Sequence, residues 1–157
     1  MKFEDLGLCK EILSSINNVG YKEPTEIQEK AIPNILKGRD ILGCAQTGTG
    51  KTGSFIIPLI EILNSGKSKS RMPRSLILAP TRELAMQVSE EFNKMNQFLN
   101  LQMALLIGGT SFVEQENKLS KDVDILIATP GRLLDHVEKG KVILKDIKLL
   151  IIDEADR

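Results

Sequence analysis

The sequence predicts an α/β protein built on a parallel sheet with helices between the strands. Five short apolar runs recur, each bounded by turn or cap residues: Asp40 to Ala45, Ser75 to Pro80, Gln102 to Ile107, Asp124 to Thr129, and Ile147 to Asp153. Their length and punctuation are those of buried strands. Helical spacings stand between them, and the first run leads into a glycine-rich turn that opens a helix.

Taken in order, the elements begin with a helical segment from about Cys9 to Asn18 and the turn Gly20 to Thr25. A second helix starts near Glu26 and packs through Ile27, Ala31 and Ile35. The first strand and its turn are followed by a helix whose apolar face is Phe55, Ile56 and Leu59. The stretch Asn64 to Pro73, rich in Ser, Lys and Gly, reads as a surface loop and not a domain boundary. After the second strand, Leu84, Val88, Phe92 and Met95 recur at helical spacing, and after Pro130 and Gly131 so do Leu133, Leu134 and Val137. No internal repeat suggests a solenoid.

A chain of 157 residues, 41% hydrophobic and 27% charged, has the size and balance of one domain with a real core. Lys plus Arg number 21 and Asp plus Glu number 21, so no global basic field announces a nucleic-acid partner. Any phosphate binding must come from local geometry. Cys9 and Cys44 are too few for a disulfide framework or a spaced metal site and read as small buried side chains of a protein kept in a reducing cytosol. Lys2, Glu4 and Asp5 follow Met1 directly, and no apolar run approaches a membrane span, so the expectation is a soluble, unexported, cytoplasmic protein.

The strongest local signal is Ala45-Gln46-Thr47-Gly48-Thr49-Gly50-Lys51-Thr52, between a strand and a helix. Glycines at 48 and 50 let the backbone curl so that successive N–H groups point inward, and the helix N-terminus adds its positive end. A triphosphate fits there. Lys51 would reach the β and γ phosphates, and the Thr52 hydroxyl would hold the bridging Mg2+. Ala45 stands where the general pattern has Gly.

A second signal closes the chain: the apolar run Leu149 to Ile152 ends in Asp153-Glu154-Ala155-Asp156. Acids at a strand's carboxyl end sit beside the ligand crevice of such sheets. Asp153 is suited to hold Mg2+ and Glu154 to orient and deprotonate the attacking water. Alone, the four residues read better as the acid-rich first turn of a helix; paired with the phosphate loop, the catalytic reading prevails. His136, the one histidine, has no cysteine cluster near it in sequence and is assigned no metal or acid-base role. The basic cluster from Lys67 to Arg74 reads as a solvated loop.

Asp153-Glu154-Ala155-Asp156 is the signature from which the DEAD-box RNA helicases take their name, and the rest of the chain, from Phe3 to Asp156, resembles that family. The resemblance implies a RecA-like sheet, ATP and Mg2+ as ligands, and RNA bound without regard to sequence. Residues 1–29 would form the Q-motif segment, and residues 30–157 part of the N-terminal helicase domain. Gly20-Tyr21-Lys22-Glu23-Pro24-Thr25-Glu26-Ile27-Gln28 resembles the adenine-reading Q motif, with Phe3 as its upstream aromatic. Gln28 carries a donor and an acceptor in one planar amide, which suits the adenine edge, and Tyr21 can stack on the ring. Apart from the family, Phe3 and Tyr21 read as core or interface aromatics and Gln28 as a solvated helix residue.

Three further segments resemble the family's RNA-contacting motifs: Pro80-Thr81-Arg82, Gly108-Gly109, and Thr129-Pro130-Gly131-Arg132. Each stands at or just past the carboxyl end of an expected strand. The hydroxyls of Thr81 and Thr129, the glycine N–H groups and the helix N-termini would contact successive phosphates, with Arg82 and Arg132 either touching RNA or bracing the loops.

The family's motor extends past the residues present here. The resemblance implies a Ser-Ala-Thr motif, whose strand lies between the phosphate-loop strand and the Asp-Glu strand, and a second RecA-like domain carrying an arginine finger. The expectation is therefore a partial domain, active within its parent protein. By itself the 157-residue chain would be a weakly stable nucleotide binder without turnover.

Overall fold

In a computed structural model of the chain, residues 1–41, 50–66 and 72–153 are described. A 3-10 turn, Phe3–Leu6, precedes α1 (Lys10–Asn18), α2 (Glu26–Leu36), α3 (Lys51–Ser65), β1 (Ser75–Leu78), α4 (Arg82–Met95), β2 (Met103–Leu106), α5 (Phe112–Leu119), β3 (Ile125–Ala128), α6 (Pro130–Glu138) and β4 (Leu149–Ile152). Four expected strands are present, each shorter than its apolar run. Of the fifth, Asp40 and Ile41 are exposed and belong to no strand, and residues 42–49 lie outside the described residues. Among the described residues the architecture is a four-stranded parallel sheet flanked by helices, an α/β fold of the RecA type.

The chain divides into two compact units, Met1–Lys67 with Glu90–Asn100, and Ser68–Ser89 with Leu101–Arg157. In the first, α2 packs on α3. Thr25 caps α2 reciprocally: its Oγ1 accepts from the Gln28 backbone N–H at 3.4 Å, and its own N–H donates to Gln28 Oε1 at 3.0 Å. Such a box contributes about 1 kcal/mol to the helix it opens. The inward stripe of α2 is Gln28, Ala31 and Ile32, and the expected Ile27 and Ile35 lie only half-buried. Ala31 and Ile32 stand three and four residues after Gln28, on the same helical face as that buried glutamine. In α3 every residue from Gly53 to Ile60 is buried, together with Leu63, as in a helix enclosed on all sides. Cys9, expected to be buried, sits half-buried at the N-cap of α1.

The second unit holds the sheet, in the order β2-β3-β1-β4 with all pairs parallel. One face carries Leu76, Ala104, Leu106, Leu126 and Ala128, closed over by Leu133 of α6 and by Val142. The opposite face shows Ile77, Ile125 and Ile127, each with no exposed area. Burial on both faces explains why these strands read as unbroken apolar runs. Asp124 ties the strand starts together: one carboxylate oxygen accepts from Arg74 Nη2 at 3.0 Å, the other from the Gln102 N–H at 2.7 Å.

Two further features depart from expectation. Leu133 of α6 is buried, but Leu134 and Val137 are exposed, and His136, with no exposed area, takes the inward position. In β4, Leu150 and Ile152 are each 56% exposed, and among the described residues this strand forms an edge of the sheet.

Candidate functional site

Gly50 caps the N-terminus of α3 in the left-handed conformation, φ 80° and ψ 20°. A Cβ here would stand 2.6 Å from Gln28 Nε2 and 2.9 Å from both Cγ2 and Oγ1 of Thr25, so close approach demands glycine as strictly as the backbone angle does. A Cβ on Gly53 would also meet Gln28 Nε2, at 2.9 Å. The Gln28 amide is thus wedged against two glycines at the start of α3. Only 4% of the residue is exposed, and its Nε2 donates to the Gly50 carbonyl at 3.1 Å. That bond and the cap on Thr25 leave one N–H and one carbonyl lone pair of the amide uncommitted by them. Lys51 and Thr52 occupy the first turn of α3, each half-buried, with the Lys51 carbonyl accepting from the Ser54 hydroxyl. Ala45, Gln46, Thr47, Gly48 and Thr49 lie outside the described residues.

Phe3 and Tyr21 meet in a cleft of about 330 Å3, lined also by Leu13, Ile16 and Gly20. Phe3 is buried and forms its floor, whereas Tyr21 is 36% exposed. The Tyr21 hydroxyl donates to the Glu91 carboxylate, 3.1 Å and 3.2 Å from its two oxygens. Burial first, and then the Glu91 charge, pushes that hydroxyl above its ordinary value, so it remains a donor at neutral pH.

In the sheet-bearing unit, Leu106, Ala128, Leu78 and Ile152 pair in one row across the four strands. The segments that follow them therefore emerge from a single edge, where parallel sheets place their ligands. After β1 comes Pro80-Thr81-Arg82, with Thr81 Oγ1 accepting from the Leu84 N–H at 3.2 Å, an N-cap for α4. After β2 comes Gly108-Gly109, and after β3 Thr129-Pro130-Gly131-Arg132, with Pro130 in the first turn of α6. After β4 comes Asp153, 8% exposed, whose N–H donates to the Leu78 carbonyl at 2.8 Å. Glu154 lies outside the described residues.

Two arginines converge on the glycine pair. Gly109 has φ 76°, and a Cβ there would stand 2.3 Å from Arg82 Nη1; a Cβ on Gly108 would stand 4.0 Å from Arg132 Nη2. The site thus combines two guanidinium groups, exposed loop backbone and the starts of α4 and α6, an arrangement that attracts anions. Among the described residues, no group of three or more His, Cys, Asp or Glu side chains is arranged to hold a metal.

Sequence reasoning overlooked several members of these clusters. Thr25-Glu26-Ile27-Gln28 has the spacing of a capping box, the signal that would have shown Gln28 to be structurally engaged. Gln115 of α5, 7% exposed, and His136 of α6, whose Nε2 lies 2.8 Å from Gln115 Oε1, gave no comparable signal, because a buried polar pair on two helices has no fixed spacing.

Residues 25–157 match the family described as DEAD/DEAH box helicase. The chain is 46% identical, over 99% of its length, to the ATP-dependent RNA helicase HAS1 of Chaetomium globosum, and covers 27% of that protein. It is 43% identical to the ATP-dependent rRNA helicase RRP3 of Coccidioides immitis, covering 32% of it. Among solved structures, a DEAD box protein from the hyperthermophile Methanococcus jannaschii superposes with a TM-score of 0.90 at 43% identity, over 99% of this chain and 42% of that one.

Proposed function

The chain belongs to the DEAD/DEAH box helicase family, and from that premise we propose that it forms the ATP-binding portion of an RNA-dependent ATPase that locally separates RNA duplexes without reading sequence. The observation that carries this reading is the shared row of strand ends, from which Thr81, Gly108-Gly109, Thr129 to Arg132 and Asp153 all follow. Contacts of that kind reach phosphates and not base edges, so they position RNA without specifying it.

Nucleotide recognition falls to residues of the other unit. Tyr21, on the cleft floored by Phe3, offers an aromatic face to a purine, and Gln28 retains one donor and one acceptor for the adenine edge. Gln28 also touches Gly50, so the base-reading amide is mechanically joined to the end of the phosphate loop. Lys51 supplies the cation for the β and γ phosphates, beside Ala45 to Gly50. Thr52 offers a hydroxyl oxygen and Asp153 a carboxylate oxygen, the hard donors that Mg2+ takes, and when bound the ion neutralises phosphate charge. Glu154 is the base that orients the attacking water and accepts its proton.

The chain spans about a third or less of the curated relatives cited above, and in the intact protein a second RecA-like domain completes the motor. Among the described residues no helix is long and apolar enough to cross a membrane. A cytoplasmic location is part of the same proposal and rests on the sequence reading alone. Competition between ATP and GTP for the intact protein tests the nucleotide assignment. ATP should be favoured strongly, and Gln28→Ala should erode the preference; equal affinity for both in the unaltered protein would remove it, because their triphosphates are identical.

A further inference from the structure

The Gly108-Gly109 turn and Arg132 are held by a buried polar cluster that touches no expected ligand. Gln115 of α5 is 7% exposed, and its Nε2 donates to the Ile107 carbonyl at 2.8 Å and to Thr110 Oγ1 at 2.7 Å. Thr110 Oγ1 itself donates to the same Ile107 carbonyl at 3.1 Å, so the turn is gripped from within on both sides of its glycines. With the Gln115 amide nitrogen fixed by two acceptors, its Oε1 faces His136 Nε2 at 2.8 Å. That orientation sets the imidazole tautomer: Nε2 carries the proton and donates, and Nδ1 is a bare acceptor. The same Oε1 accepts from Arg132 Nη1 at 3.4 Å.

An aromatic layer completes the cluster. Phe112 stacks on His136 with ring centroids 4.0 Å apart and planes within 5°, while the Arg132 guanidinium lies 5.5 Å and Lys139 Nζ 4.4 Å from its centroid. Arg132 is further braced by Asp135, 3.9 Å away. Protonating His136 would create an Nδ1–H where the structure offers no acceptor, in a position with no exposed area. Burial, and then the Arg132 charge, accordingly holds this imidazole below its ordinary value; Lys139 acts in the same direction, against Glu116 and Asp135.

We infer that Gln115 and His136 are positioning residues for RNA binding: neutral His136, donating to Oε1, completes the hydrogen bonding that holds the Gln115 amide, and that amide fixes both the Gly108-Gly109 turn and the Arg132 guanidinium that faces it. The inference rests on the RNA reading of the strand-end surface given above. It assigns His136 a role through one defined N–H, not through charge or metal binding.

The test uses the intact protein, a fluorescein-labelled single-stranded RNA read by anisotropy, and thermal melts. His136→Phe keeps an aromatic ring against Phe112 but removes the N–H, and should weaken RNA affinity by roughly three- to tenfold, the range one lost hydrogen bond spans. His136→Gln returns an N–H at the position of Nε2 and should recover most of that loss. Gln115→Glu, nearly isosteric, keeps an oxygen for His136 but cannot donate to Ile107, and should weaken binding like His136→Phe whether or not the latter folds. Imidazole nitrogen spectra of the unaltered protein should show the neutral Nε2-protonated tautomer. RNA affinity unchanged in both His136→Phe and Gln115→Glu, with Arg132→Ala still impaired, would overturn the positioning role and leave the RNA reading standing. An unaltered protein that does not bind RNA would instead overturn that reading, and this role with it.

Discussion

A methyl group added at Gly50 would collide with Gln28 and Thr25 and would force a side chain into φ 80°. Gly50→Ala should therefore cost about 1–3 kcal/mol of stability from backbone strain alone and, on the proposal that the displaced Gln28 amide reads adenine, should weaken ATP binding as well; denaturant melts and nucleotide titrations check both. Glu154→Gln should leave ATP binding largely intact and stop hydrolysis, since an amide orients water but cannot take its proton; equal loss of both in binding and turnover assays would make Glu154 structural. His136 gives a pH signature. Its folded pKa is depressed by burial and then by Arg132, so as pH falls the unfolded chain takes up the proton first. Its contribution to stability is full above the ordinary value of 6.5 and is lost as pH falls through the folded value. Comparing melts at about pH 7.5 and about pH 5.5, His136→Gln should flatten the part of the decline that this one group causes.

Among the elements, α2 depends on its cap. Thr25→Ala removes the acceptor for the Gln28 N–H and should lower stability by about 1 kcal/mol, visible as a drop in Tm, while also loosening the Gln28 side chain on Gly50. The strands around Leu76 and Leu126 were legible because burial on both faces leaves apolar runs that turn residues delimit, and those around Leu106 and Leu149 because their runs are apolar and delimited in the same way although one face is only half-buried or exposed. The strand-end segments followed from the strands, and their common edge was legible once the sheet was taken as parallel. The inward face of α6 was misread: Leu134 and Val137 are apolar and exposed, whereas His136 is polar and buried. An imidazole held neutral packs like an aromatic, and residue type alone does not reveal its protonation. The same applies to Gln115, whose partners lie eight and twenty-one residues away along the chain. In α2 the buried stripe runs through Gln28, Ala31 and Ile32, so the buried polar residue, and not apolar spacing alone, marks the inward face.

For the molecule as a whole, β4 sets the condition of the sheet. Leu150 and Ile152 are exposed on a strand that is an edge among the described residues, and exposed apolar side chains beside an open strand edge favour association with other chains. A polypeptide of residues 1–157 should self-associate in sedimentation velocity, and Leu150→Lys with Ile152→Lys should shift it toward monomer; a monomeric parent polypeptide would show that this edge is covered. Two ligands are proposed to act together: adenine nucleotide read through Gln28 and the phosphate loop, and RNA backbone held at the strand ends. Phosphate release by the intact protein, measured with ATP and with GTP, without RNA and with single-stranded RNAs of different sequence, tests both together. ATP turnover should rise severalfold with RNA of any sequence, with little turnover of GTP. Turnover indifferent to RNA, or equal for the two nucleotides, would contradict the proposal.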